Sequence, residues 1–129
     1  MNQINHNTIA EKEILKMSPH SEIQQVGIDL SVSEEVRLKP GSSYNVLFNE
    51  TVELPSNIYA TFNIRSSFSR RGVFASTGIY DPGYVGSVGC TVYNMGEEEL
   101  VIPKNERVGQ MLFLIADAAS LYRGQWQNK

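Results

Sequence analysis

A chain of 129 residues, 41% hydrophobic and 19% charged, has the material for one domain with a real core and no room for a second. Its net charge of −3 excludes a general nucleic-acid binder, whose surface is strongly basic, but leaves room for a local basic pocket. The apolar runs are too short for a membrane span or a secretory signal, and a single cysteine, Cys90, permits no internal disulfide; the expectation is a cytoplasmic protein with no membrane partner.

In chain order, Thr8 followed by Glu11 has the form of a capping box, and Ile9, Ile14 and Leu15 supply the apolar stripe of a short helix. Met17 to Ser21, with Pro19, ends it, so residues 1–21 read as an N-terminal segment carrying the chain's one short helix. From Gln24 the period changes to two: Val26, Ile28 and Leu30 alternate with Gly27, Asp29 and Ser31, as in a half-buried strand. Pro40-Gly41 marks a turn, Tyr44 to Phe48 a strand, and Val52 and Leu54 lead into a turn at Pro55-Ser56-Asn57. Ile58 to Ile64 alternates again and delivers Arg65-Ser66-Ser67 at its far end. Phe68 to Gly72 reads as one helical turn capped by Ser66 or Ser67. Val73 to Ile79 and Gly86 to Tyr93 read as two strands of a hairpin around Asp81-Pro82-Gly83. A turn at Met95-Gly96-Glu97, a strand at Leu100 to Ile102, a turn at Pro103-Lys104-Asn105 and a last long strand from Val108 to Ile115 precede a polar tail, 116–129.

Many short strands with regular turn signals predict an all-β fold, a closed or two-sheet structure filling the single domain 1–129. A barrel this small has little spare wall for a private pocket, so an oligomer with sites shared between subunits is expected.

Four stretches carry chemistry. Arg65, Ser66 and Ser67 present a forked guanidinium beside two hydroxyls, suited to phosphate oxygens, and Arg70 and Arg71 raise the local positive field. An arginine paired to a carboxylate beside a serine cap accounts for the tripeptide equally simply. Asp81 stands in a bend flanked by Gly78, Gly83 and Gly86, where backbone groups can read a base edge while the acid orients or deprotonates a water. Asp-Pro-Gly is also ordinary turn chemistry that needs no ligand. Asp29 either faces solvent or holds a hydrated magnesium ion against phosphates. Gln110 is a similar polar interruption near a strand start. Cys90, inside a strand-like run, reads as a small buried hydrophobe rather than a nucleophile.

Taken together, in order and spacing, these stretches resemble the motifs of the superfamily of deoxyuridine triphosphatases (dUTPases) and dCTP deaminases. Gly27 to Leu30 is similar to its first motif, Arg65 to Ser67 to its second, Gly78 to Asn94 to its third, and Asn105 to Met111 to its fourth. The resemblance spans residues 23–115 and implies a distorted β-barrel or jelly-roll, a homotrimer, active sites between subunits, and a magnesium-bound nucleoside triphosphate as substrate. By resemblance, Asp81 holds and activates the attacking water, and Tyr84 stacks on deoxyribose. Gly78 belongs to the nucleoside site, and Arg65, Ser66, Ser67, Arg70 and Gln110 bind phosphates. Asp29 places the metal through water.

The marks of two branches are mixed. Ser66 to Arg70, Asp81-Pro82-Gly83 and the approach Glu22 to Gly27 look more like the deaminases. Those enzymes, however, carry a glutamate three residues before the asparagine of Tyr93-Asn94, and Thr91 stands there. Threonine cannot shuttle a proton near neutral pH, which disfavours deamination. The resemblance therefore implies hydrolysis of dUTP to dUMP and pyrophosphate. The alternatives are a dCTP deaminase or dCTP-directed pyrophosphatase, or a non-catalytic nucleotide-binding trimer. The Gly-rich fifth motif of dUTPases is not found, and Ala75 stands where they commonly have a polar residue. Residues 116–129 are either a lid, with Trp126 on the base and Arg123 near phosphate, or disordered.

Overall fold

The N-terminal helix is present, but Asn5 caps it rather than Thr8. In the computed structural model, which describes residues 5–76, 78–116 and 128, the Asn5 side chain accepts the Asn7 N–H at 2.8 Å and α1 (His6–Glu11) follows. Glu13 then takes a left-handed φ of 53°, so Leu15 leaves the helical stripe and enters strand β1 (Leu15–Lys16).

The remaining elements are β2 (Glu22–Ile23), β3 (Ile28–Ser31), β4 (Val36–Leu38), β5 (Ser43–Glu53), β6 (Ile58–Ile64), α2 (Ser66–Ser69), β7 (Val73–Ser76), β8 (Ile79–Tyr80), β9 (Val85–Asn94), β10 (Leu100–Ile102) and β11 (Arg107–Ile115). They form two main antiparallel sheets, ordered β1-β5-β9-β7 and β2-β3-β11-β6-β8, and a ribbon of β10 with β4. The core lies between the sheets, where Phe48 of β5 meets Phe62 of β6 with ring centroids 4.7 Å apart. The architecture is the mostly-β, dUTPase-like one that the strand pattern and the motifs imply. No described helix is long and apolar enough to cross a membrane.

Several local expectations change. Residues 26–31 are not a half-buried alternation: Val26 is exposed, while Ile28, Asp29, Leu30 and Ser31 are all buried, β3 being covered on both faces as well as paired by β2 and β11 at its edges. β5 runs through to Glu53 across an irregularity between Leu47 and Thr51, longer than Tyr44 to Phe48. Ser66 and Ser67 sit inside α2, whose N-cap is Arg65 and which has no side-chain cap. The expected strand from Val73 to Ile79 is broken. Its first half pairs with β9 (Phe74↔Tyr93), and its end pairs as β8 with β6 (Tyr80↔Ala60), so the two halves belong to different sheets.

Candidate active site

The second and fourth motifs meet at one end of the five-stranded sheet. Arg65 leaves β6 with its N–H on the Val108 carbonyl at 2.8 Å and its Nη1 reaching the Arg107 carbonyl at 3.4 Å. Arg65, Ser67, Phe68, Arg71, Asn105, Glu106 and Arg107 line an open cavity of about 540 Å³. Arg107 is ion-paired with Glu22, whereas Arg65 and Arg71 make no ion pair among the described residues. Both line this cavity, Arg71 also lining the neighbouring one, and among the described residues Arg65 has no carboxylate partner of the kind the simpler reading expects. Arg70 points elsewhere, lining a different cavity with Asn94 and Glu97. Ser66 is exposed and outside the lining, its carbonyl accepting the Ser69 hydroxyl at 3.0 Å.

Behind this cradle lies a buried polar network that sequence reasoning missed. Glu50, fully buried, accepts from the hydroxyls of Ser18 (2.7 Å), Ser21 (2.6 Å) and Ser31 (2.8 Å) and from the Ser31 N–H (3.0 Å). Its neighbour Asn49 donates to the Ser31 hydroxyl at 2.9 Å and to Asn105 Oδ1 at 3.0 Å. Asn105, held at φ 72°, carries that support to the cavity wall.

The first motif lies one strand over. Asp29 pairs in register with Gln110, which on its other side faces Asn63 of β6. Asp29 is only 5% exposed and accepts from Gln24 Nε2 at 2.7 Å, so it does not simply face solvent. Gln110 Oε1 is buried without a partner among the described residues. Gly27 is required by close approach, since a Cβ there would stand 2.5 Å from the Met111 carbonyl oxygen and 3.0 Å from Gln110 Oε1.

The third motif builds a separate slot of about 740 Å³, lined among others by Asn45, Ile79, Tyr80, Asp81, Tyr84, Cys90 and Thr91. Its bend is clamped to the neighbouring loop: the Gly83 N–H donates to the Leu54 carbonyl at 3.1 Å and the Leu54 N–H to the Tyr84 carbonyl at 2.9 Å. Gly83 and Gly86 take φ of 88° and 149°, but Gly78 does not enter the left-handed region and has open space where a Cβ would lie. Asp81 is exposed at the mouth. Tyr84 is 6% exposed and donates to the Ser87 carbonyl at 2.6 Å. Tyr80, its ring 5.9 Å from that of Tyr84, donates to the Gly89 carbonyl at 2.5 Å and accepts the Gly89 N–H at 3.1 Å. Burial pushes the Tyr80 phenol upward in pKa, against the opposing effect of the Gly89 hydrogen bond. Burial also lifts the Cys90 thiol to about 12, which leaves it protonated and no nucleophile. Thr91 donates its hydroxyl to Asn45 Oδ1 at 2.7 Å.

Slot and cradle are far apart within one chain. Tyr80 pairs with Ala60, while Arg65 lies five residues further along β6. At the rise of an extended strand that is about 16 Å. No described residue lines both cavities.

A family model described as dCTP deaminase-like matches residues 17–115. The chain belongs to the dUTPase/dCTP deaminase superfamily. A dCTP deaminase of Pyrococcus abyssi is 34% identical over 116 residues, covering 88% of this chain and 75% of that protein. The fold is shared with the dUTPase of Staphylococcus bacteriophage 80alpha (TM-score 0.72, 20% identity, 86% of each chain). It is shared equally with the dCTP deaminase of Agrobacterium tumefaciens (TM-score 0.74, 17% identity, 85% of this chain and 46% of that one). The protein is thus an enzyme of a superfamily in which both activities occur.

Within that superfamily, the donors beside Gln110 bear on the metal the family implies. No group of three or more metal-ligating His, Cys, Asp or Glu occurs among the described residues. One buried carboxylate and one unpartnered amide oxygen are too few for an all-protein cage. They would suit a magnesium ion that keeps its waters, since each oxygen could accept from a coordinated water.

Sequence reasoning did not single out Asn45, Tyr80, Asn105 or Arg107 as lining residues. Asn105 and Arg107 lie inside the fourth motif and Tyr80 inside the third, so motif membership was a usable signal for them. Asn45 carried none. Arg123 and Trp126 lie outside the described residues. Asn128, near the chain's end, donates its N–H to the Val85 carbonyl at 2.6 Å.

Proposed function

We propose that this protein is a magnesium-dependent dUTP diphosphatase, a single dUTPase-like domain over 1–129 that hydrolyses dUTP to dUMP and pyrophosphate in a reducing cytoplasm. The observation that carries the reading is Thr91. Where the deaminases place their acid/base glutamate, this slot has a hydroxyl already committed to Asn45. Asp81 is the only carboxylate among the described residues of the slot lining, and it is exposed.

Asp81 accepts a proton from a water whose oxygen attacks the α-phosphorus as the bond to the α–β bridging oxygen breaks. Tyr84 packs against deoxyribose beside Gly78. Arg65, Arg71 and the Ser67 hydroxyl neutralise and position the polyphosphate, with Ser66 and Arg70 at its margin. Magnesium, when bound, supplies further charge neutralisation on the departing pyrophosphate. Asp29 and Gln110 would hold it through its waters. Trp126 and Arg123 would close over base and phosphate.

The separation along β6 supports a homotrimer in which one protomer's Asp81 faces another's cradle. Assayed at dUTP well below KM, mixing Asp81→Asn with Arg65→Ala chains should restore about a quarter of wild-type turnover, the chance that a random interface pairs two intact halves. No restoration would place both halves in one chain. The deaminase relatives favour a second reading, conversion of dCTP. Separate incubations with dUTP and dCTP decide between them: pyrophosphate from dUTP is expected, and ammonia from dCTP would overturn the role given to Thr91.

A further inference from the structure

We propose that Asn45 selects the base, its amide NH₂ reading a carbonyl oxygen at pyrimidine position 4, with Thr91 setting the amide's orientation. This rests on the slot being the nucleoside site of the proposed function.

Asn45, Thr91 and Ser76 form one row across β5, β9 and β7, and all three line the slot that holds Asp81 and Tyr84. Leu47 and Ile79, 59% and 62% exposed, are apolar surface in the same lining, suited to an aromatic ring. The polar groups able to discriminate bases are few. The Tyr80 hydroxyl both donates to and accepts from Gly89, and the Tyr84 hydroxyl donates to the Ser87 carbonyl. Ser76 and Ser87 carry hydroxyls that rotate to donate or accept, so they do not distinguish a keto oxygen from an amino group.

Asn45 differs because an amide carries its donors and its acceptor on separate atoms. Thr91 donates to Oδ1 at 2.7 Å, which leaves the two N–H donors for a ligand in the slot that Asn45 lines. Two donors there complement the O4 of uracil. Against the 4-amino group of cytosine they place donor against donor, and a site built to hydrogen-bond one group rejects the analogue that cannot answer it. Threonine at position 91 thus does more than omit a proton shuttle: it orients the group that excludes the amino base.

The test is the ratio of affinities for the imido analogues of dUTP and dCTP, measured by calorimetry with magnesium. Wild type is expected to favour the uracil analogue by about 10- to 100-fold, the worth of one good hydrogen bond against a mismatched one. Asn45→Asp, which swaps donors for acceptors, should move the ratio toward cytosine by a similar factor. Thr91→Val keeps the shape, frees the amide to turn, and should reduce the preference without reversing it. An unchanged ratio in either variant, or no uracil preference in wild type, overturns the inference. Uracil preference in binding without pyrophosphate release from dUTP would sink the proposed activity and leave this one standing.

Discussion

The nucleoside slot and the phosphate cradle are built by opposite means. The slot is held by neutral groups: two tyrosine hydroxyls on backbone carbonyls, glycines at positive φ, and a threonine–asparagine pair. The cradle is held by charge and depth. Arg107 leans on Glu22, and Asn105 rests on a buried carboxylate network, while Arg65 and Arg71 have no ion-pair partner among the described residues. The difference follows from the two ends of a nucleotide. A base is read by shape and fixed donors, which need a pre-set surface, whereas a polyphosphate needs unpaired cations that the fold must stop from pairing with one another's neighbours.

If that division holds, damage to each region has its own signature. The largest effect belongs to Asp81→Asn, which should lower kcat for dUTP by about 10²- to 10⁴-fold. Affinity for the imido analogue should barely move, and a loss mainly in binding would break the division. Glu50→Ala comes next: four donors, the two of Ser31 buried and those of Ser18 and Ser21 half-buried, lose their acceptor, and unfolding should require about 3 kcal/mol less, read as a lower urea midpoint. Its residual folded fraction should show a raised KM with selectivity intact, because the damage reaches the cradle through Asn105.

Arg65→Ala should reduce kcat/KM by about 10- to 100-fold, mostly through KM, and weaken inhibition by pyrophosphate, while the uracil-to-cytosine ratio stays put. Tyr80→Phe is smaller, about 1–2 kcal/mol of stability, and should blur base selectivity without touching pyrophosphate inhibition. Near neutral pH the smallest effect is titration. Cys90 and Tyr80 both have pKa raised in the folded state, so their stabilisation is complete below the unfolded values and lost as pH climbs. For Cys90 the loss runs from about 9 toward about 12, and Cys90→Ala should flatten the fall of the urea midpoint over that window. The native thiol should also resist iodoacetamide at pH 8.

How much of this was legible in the chain varies with the reach of the interaction. Ile58 to Ile64 and Leu100 to Ile102 form strands where their alternation and turn signals place them. Asn5 took the cap from Thr8 because either can cap, and only the register of Ile9 into the core decides between them. The break between Ser76 and Ile79 was hidden because both halves are β-forming and the choice of partner sheet is not local. Asp29 was readable as an acid among apolar residues, but whether it faced water depended on what lies over its face of β3, including Gln24, which donates to it.

From its residues alone, this chain determines an all-β domain, its family, and the short-range chemistry of each motif, because turn residues, alternation and local donor sets act over a few positions. Tertiary structure alone decided that Asn45 stands beside Thr91, that Glu50 supports the cradle from behind, and that Asp81 and Arg65 lie at opposite ends of β6. Those are consequences of strand pairing between distant segments, whose register is set by burying one shared core rather than by any local preference.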